Sequence, residues 1–323
     1  MKSSQNHQQV HNKTVLITGG CGFIGTNIAK YLTSHGFKIR ILDNLSTGNQ
    51  ESLFSAGCHL SNDTLIIGDI RDQHKVEQAV KDVDIVVHLA AHTRVLESLT
   101  IPQETWDINT RGTSNLLESC RRTGANTFIF ASSNVALGEQ IPPVNETKIP
   151  KPISPYGASK LACEALCTSY YHSFGLNTVS LRFANSYGPY SKHKTSVIAK
   201  FVKRVMRNEP LIIYGDGEQT RDFIHVDDIC QAIHLCLTTT KPIFGEIFQI
   251  ASGKETTINE LTHMLIDISG RNVQIIYEPK QKGEIERNYS DITKARKMLG
   301  YEPQVELKVG LHALWKWYAE VGM

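Results

Sequence analysis

The sequence predicts an α/β protein built on a doubly wound parallel sheet, and three observations predict it. Short β-branched runs alternate with helical stretches of about 10 to 15 residues through the first half of the chain. A glycine-rich turn, Gly19-Gly20-Cys21-Gly22-Phe23-Ile24-Gly25, joins the first run directly to a helical one. Asp43 closes the second run, eighteen residues past Gly25. Strands spaced by helices in this way form βαβ units, whose parallel strands carry helices on both faces. This is the Rossmann arrangement.

In chain order, the first strand falls over residues 13–18 (KTVLIT), and a helix over 23–35 places Ile24, Ile28 and Leu32 on one face. Strands follow at 38–42 (KIRIL) and 64–67 (TLII), a helix at 72–80, and a strand at 84–89 (DIVVHL). A longer helical pattern covers 107–122, then a strand at 127–130 (TFIF), a helix at 156–174 and a strand at 178–181. Beyond Arg182 the alternation loosens. Helices are expected at 196–207, briefly from Asp227, near 258–269 and 292–299, and over 309–318, with strands at 211–214 and 247–250. Residues 12–183 are therefore read as the dinucleotide-binding domain, with a returning segment near 222–250. Residues 184–323 form mainly a smaller C-terminal α/β domain on the carboxyl ends of the sheet, where ligands of open parallel sheets bind. The five prolines between 141 and 155 mark a loop.

Composition narrows the function. The 323 residues carry 34 basic and 32 acidic side chains, a formal charge of +2 with no basic block, which argues against nucleic acid or an anionic membrane as partner. No apolar run reaches about 18 residues, so no transmembrane helix is expected. The N-terminal MKSSQNHQQVHN is polar, lacks the apolar core of a secretory signal and reads as a disordered tail. Seven cysteines, an odd set without a CxxC pair, read as buried free thiols of a cytoplasmic protein, with no metal site.

The glycine turn stands where a dinucleotide needs it, after a strand and before a helix. Glycines permit the tight turn and let backbone approach a pyrophosphate, which the helix N-terminus then attracts. Asp43 is placed to accept from the adenosine ribose hydroxyls and to repel a 2′-phosphate, favouring NAD over NADP. Asp69, in Gly68-Asp69-Ile70, stands either near the adenine or as a helix cap. The richest local signal is Ser154-Pro155-Tyr156-Gly157-Ala158-Ser159-Lys160. Ser154 suits an N-cap and Pro155 the first helical position, which sets Tyr156 and Lys160 four apart on one face. The ammonium and the positive helix end are expected to stabilise phenolate and make Tyr156 a general base. Ser133, just past the strand at 127–130, is placed for its hydroxyl to reach a substrate oxygen.

These motifs, with LDNLSTG, GDIRD, VVHLAA, DINTRGTSNLLE, FIFASSNVALG, LRFANSYGP, YGDGEQTRDFIHVDD and SDITKARKMLGYEP, run in order over nearly the whole chain. It resembles the extended short-chain dehydrogenase/reductases, and within them the NAD-dependent nucleotide-sugar epimerases of the UDP-glucose/UDP-galactose 4-epimerase type. The resemblance implies a tightly held NAD contacted by Gly19, Gly22, Phe23, Ile24, Gly25, Asp43, Asn44, Asp69, Ile70, Leu89, Ala90 and Ala91, together with Tyr156 and Lys160. It implies a UDP-sugar contacted by Ser133, Tyr156, Asn185, Tyr214, Arg221 and Asn288. Tyr156 would take the proton of the sugar 4-hydroxyl as hydride leaves C4, and the 4-keto sugar would rotate and take the hydride back on its other face. Lys160 would hold the nicotinamide ribose and polarise Tyr156, and Ser133 would hold the 4-oxygen. A homodimer through the helices at 107–122 and 156–174 is implied as well.

Three departures from the family pattern bear on chemistry. The Asp and Glu that 4,6-dehydratases place after the Ser/Thr are here Asn134 and Val135, and decarboxylases need the same Glu, so epimerisation is the simplest chemistry left. The usual VYG is Ala136-Leu137-Gly138. Gln281 stands where many members carry a phosphate-binding Arg, two before Gly283-Glu284, with Lys280, Lys282 and Arg287 as the nearby cations. Asn288, counted from Gly283, falls where members limit sugar size, and favours a substrate larger than glucose such as UDP-N-acetylglucosamine. Arg94 points either to a uronic acid or to a surface ion pair. The alternatives are another nucleotide-sugar enzyme, such as a UDP-glucuronate 4-epimerase or 4-keto reductase, and a non-catalytic NAD or nucleotide-sugar binding regulator. A binder has no need of a poised phenol.

Overall fold

A computed structural model describes residues 13–58, 61, 64–280 and 285–322. The N-terminal tail and the Gln281–Glu284 turn therefore lie outside the described residues. The first half runs β1 (Thr14–Thr18), α1 (Phe23–Ser34), β2 (Lys38–Asp43), α2 (Gln50–Ser55), β3 (Leu65–Ile67), α3 (Gln73–Val80) and β4 (Ile85–His88). Then follow α4 (Pro102–Trp106), which continues through a π-helical turn (Asp107–Arg111) into α5 (Gly112–Thr123), β5 (Thr127–Ser133), α6 (Pro155–Phe174) and β6 (Asn177–Phe183). The second half holds β7 (Asn185–Tyr187), α7 (Val197–Met206), β8 (Leu211–Tyr214), β9 (Thr220–Arg221), β10 (Phe223–His225), α8 (Val226–Thr238), β11 (Ile247–Ile250), β12 (Thr256–Thr257), α9 (Ile258–Ser269), β13 (Ile275–Glu278), α10 (Thr293–Leu299) and α11 (Leu307–Glu320).

Seven strands form one parallel sheet in the order β3-β2-β1-β4-β5-β6-β11. Alternate residues of β1 explain its two layers. Val15 and Ile17 face Ile28 and Leu32 of α1 and the buried face of α8, while Leu16 faces Val76 of α3, Leu116 and Leu117 of α5 and Cys163 and Cys167 of α6. The doubly wound sheet expected from the sequence is thus the observed one. β11 comes from the second half of the chain and pairs with β6, Gln249 opposite Arg182. A third apolar cluster, including Val202, Leu261, Leu265, Leu311 and Leu314, joins α7, α9 and α11 around the parallel pair β8-β13.

Several elements differ from the sequence reading. The helical pattern at 107–122 begins with a π-helical turn, and the strand at 127–130 continues to Ser133. The helix from Asp227 is not short but spans thirteen residues. The two-to-four-residue strands β7, β9, β10, β12 and β13, and helices α2 and α4, were not expected, because so few residues show no periodicity and distant partners define the strands. All seven cysteines are buried free thiols, as expected.

Candidate active site

The glycine turn closes on itself at the carboxyl end of β1. Gly19 has φ +70°, and a Cβ there would stand 2.8 Å from the Ala90 nitrogen, so β4's exit passes too close for any side chain. A Cβ on Gly25 would stand 2.1 Å from the Gly19 carbonyl oxygen, so helix and turn are in contact. Gly22 is the N-cap of α1 and no side chain caps the helix, which leaves the N–H groups of its first turn directed outward. Asp43 is almost fully buried. Its carboxylate accepts from the Cys21 N–H at 2.9 Å and the Leu45 N–H at 2.8 Å. Burial raises its pKa, and those two backbone bonds pull it back. Each oxygen keeps further acceptor capacity for a ribose hydroxyl. A close backbone cradle, an uncapped helix start and a carboxylate beside it fit a dinucleotide.

Asn44 donates to Asp69 at 3.2 Å, and Arg71 clamps Asp69 in a fork at 2.8 and 2.9 Å that holds its pKa down at about 2. Asp69 caps no helix; α3 is capped by Asp72, which corrects the capping alternative. Ile70 is buried against Gly112, and its carbonyl accepts from Asn115 at 3.0 Å. Leu89, Ala90 and Ala91 leave β4 over the turn, the Ala90 N–H held by the Thr18 hydroxyl at 3.2 Å.

At the neighbouring strand end the groups expected to react come together. Ser154 caps α6 by accepting from the Gly157 N–H at 3.1 Å, and Pro155 takes the first helical position. Tyr156 and Lys160 are both buried. Ser133, the last residue of β5, lies beside the Tyr156 phenol, and its hydroxyl accepts from the Val135 N–H at 3.3 Å. The Lys160 ammonium donates to the Ala131 carbonyl at 2.7 Å and lies 5.9 Å from the Tyr156 ring centre. The expected lowering of the phenol is not found: burial pushes Tyr156 up to about 12, against a smaller pull from Ser133. Burial likewise brings Lys160 down to about 8. Loss of water dominates at both groups, which are buried together.

The family model described as NAD dependent epimerase/dehydratase family matches residues 15–251, which contain every one of these groups. The chain belongs to that family. A putative UDP-glucose 4-epimerase of Methanocaldococcus jannaschii is 37% identical over 94% of this chain and 97% of its own length. The solved UDP-glucose 4-epimerase of Thermotoga maritima, with UDP-glucose, is 35% identical with a TM-score of 0.89, covering 95% of this chain and 99% of that one. The UDP-N-acetylglucosamine 4-epimerase of Methanobrevibacter ruminantium M1, in complex with UDP-N-acetylmuramic acid, is 32% identical with a TM-score of 0.90 over 96% and 99%. Membership bears out the resemblance to nucleotide-sugar epimerases and the expectation of an enzyme that uses NAD.

In this epimerase-family chain, the residues expected on the substrate side sit, apart from Ser133 and Tyr156, on the second half. Asn185 is exposed on β7, its N–H bonded to the Asp222 carbonyl at 3.0 Å. The Arg221 guanidinium donates to the Thr220 and Ile285 carbonyls at 2.7 and 2.8 Å. Tyr214 ends β8 and lines a cavity of about 160 Å³ with Gly215, Asp216, Gln219, Lys280 and Glu286. Asn288 has a buried side-chain oxygen with no partner among the described residues. Asn134, where a dehydratase has Asp, donates to Ser290 at 3.2 Å and so braces the segment that carries Asn288. Asp222 holds the same segment, accepting from Ser252, Gly253 and Ser290. Lys280 pairs with Glu286 and Arg287 with Glu255, and Arg94 pairs with Glu97 on the surface.

Sequence reasoning missed Asn109. It lies in the π-helical turn, donates to Ser159 at 2.9 Å and exchanges bonds with the His92 backbone at 2.8 and 3.1 Å. Ser159 in turn donates to the Tyr156 carbonyl at 2.8 Å, so Asn109 braces the turn of α6 that carries Tyr156. The only signal was its place inside DINTRGTSNLLE; π-turns of this kind are frequent at functional sites.

Proposed function

We propose that the chain is an NAD-dependent UDP-sugar 4-epimerase in which Ser133, Tyr156 and Lys160 handle the sugar 4-oxygen. The observation that carries this reading is the buried Tyr156 phenol beside Ser133 and one helical turn from the buried Lys160, with no carboxylate at 134 or 135 to serve elimination. Gly19, Gly22, Phe23, Ile24, Gly25, Asp43 and Asn44 would hold NAD, which when bound supplies the acceptor and donor of the C4 hydrogen and a ring charge that favours phenolate. Tyr156 takes the 4-hydroxyl proton and returns it from the same atom. Ser133 keeps the 4-oxygen within reach of the phenol while the sugar turns. Lys160, with one N–H on the Ala131 carbonyl, keeps two more for the cofactor ribose.

Asn185, Tyr214 and Arg221 would bind the nucleotide portion. The unpartnered Asn288 oxygen favours a sugar with an added donor, as in UDP-N-acetylglucosamine. The Arg94–Glu97 pair removes the support that Arg94 gave to a uronate. We also infer a cytoplasmic homodimer packed through α5 and α6, and a division into a cofactor half (12–183, with the returning 222–250 segment) and a substrate half (184–323). Buried free thiols support the compartment. Among the described residues no helix is long and apolar enough to cross a membrane, and no group of three or more His, Cys, Asp or Glu could hold a metal.

The test is release of NAD on denaturation together with proton NMR of UDP-hexoses, UDP-N-acetylhexosamines and UDP-uronates incubated with the protein. Interconversion at C4 is expected; binding without turnover would favour a regulator. Tyr156→Phe is expected to keep its NAD and lose turnover by roughly 100- to 10,000-fold, the contribution of a general base. A variant at near-native rate would remove Tyr156 from this role.

A further inference from the structure

The loop between β7 and α7 carries Lys192, His193 and Lys194, to which nothing above gives a part. It is anchored at both ends. Asn27 of α1 donates to the Pro189 carbonyl at 3.0 Å, and the Lys203 ammonium of α7 donates to the Lys194 carbonyl at 3.0 Å and to that of Lys192. The partly buried Lys194 side chain turns inward. Its ammonium donates to the Ser186 carbonyl at 2.8 Å and hydroxyl at 3.1 Å, and lies 4.4 Å from the ring centre of Phe23. Those partners are neutral, and among the described residues no carboxylate lies within ion-pair distance of it. Burial lowers Lys194 to about 8, and His193 is lowered by burial and by Lys194, Lys203 and Arg94 around it.

An ammonium drawn out of water without a counter-charge costs free energy that an arriving anion restores. Two features tell where that anion belongs. Phe23 is the first residue of α1, whose opening N–H groups have no side-chain cap. Ser186 follows Asn185, one of the residues read above as binding the nucleotide portion of the sugar substrate. Lys194 bridges the two.

We propose that Lys194 is a diphosphate-binding residue, the cation between the start of α1 and Asn185. This rests on the function proposed above and deepens it. The shared chemistry is a diphosphate, carried either by the dinucleotide or by the nucleotide sugar, and the experiment separates them. Lys194→Met keeps an apolar stem on Phe23 and removes the charge; Lys194→Arg keeps the charge. For each purified holoprotein, NAD released on denaturation is counted, and binding of UDP and of uridine is measured by calorimetry. If the sugar nucleotide is the ligand, Lys194→Met weakens UDP by about tenfold or more, leaves uridine unchanged and keeps its NAD, as loss of one charge-assisted hydrogen bond predicts. If the dinucleotide is the ligand, NAD per chain falls instead. Lys194→Arg recovers the affected quantity in either case. Lys194→Met with wild-type NAD content and UDP affinity within twofold overturns the proposal, while the wild-type protein still holding both leaves the epimerase reading standing. A wild-type protein that holds neither NAD nor UDP overturns both.

Discussion

Tyr156 and Lys160 occupy the same dry pocket, and exclusion of water acts on each against its charged form. The phenol is held near 12 and the ammonium near 8, so the lysine changes charge nearer to working pH. Lys160 is charged below about 8 and neutral above it. Turnover that needs the cation should therefore fall as pH rises through that value. The groups facing Lys160 are Tyr156, Cys163, Glu164 and Cys167 on its own helix and the buried, neutral His88 on β4. A kcat/KM profile on the accepted UDP-sugar checks this: an alkaline limb near pH 8 is expected, and a profile flat to pH 10 would refute it. Single residues were legible in the sequence where local spacing fixes them, as with the glycine turn, Asp43, Ser133 and the Tyr156/Lys160 pair. Asn109 and Lys194 were not, because the contacts that single them out, Asn109 to Ser159 and Lys194 to Phe23, join segments 50 residues or more apart.

Helix α6 is locked to its sheet by an ion pair that solvent does not reach. Arg182 of β6 forks onto Glu164 at 2.8 and 2.7 Å, and Ser132 of β5 donates to the same carboxylate at 2.5 Å. Glu164 stands one turn beyond Lys160, and Ser132 directly precedes Ser133. The pair thus fixes the helix that bears the phenol against the strand that bears the serine. Removing one partner of a buried pair strands the other charge, and Glu164→Gln is expected to lower stability by about 3 to 5 kcal/mol. Urea unfolding gives the number; a loss below 1 kcal/mol would show that the pair is not needed to hold α6. At this scale the long elements were legible because apolar period and caps agree, as at Ser154 and Pro155. Strands of two to four residues have no pattern of their own and exist only through pairing.

For the whole molecule, the parallel sheet followed from alternation alone, while the pairing of the small strands did not. The homodimer tests the exposed faces. Half-exposed Trp106 on α4 and Phe174 on α6 lie on or beside the helices expected to pair. Light scattering should give twice the 36.1 kDa of one chain, and a single-chain mass would overturn the dimer. The seventh strand carries a last consequence. Because β11 is contributed by residues 247–250, an expression fragment ending at Phe183 would present β6 with its outer row of amides bare. Such an edge templates strand addition between copies. That fragment should come out of cells as insoluble aggregate, whereas one extended past Ala251 should not, so any attempt to build a minimal cofactor module has to include the β11 segment.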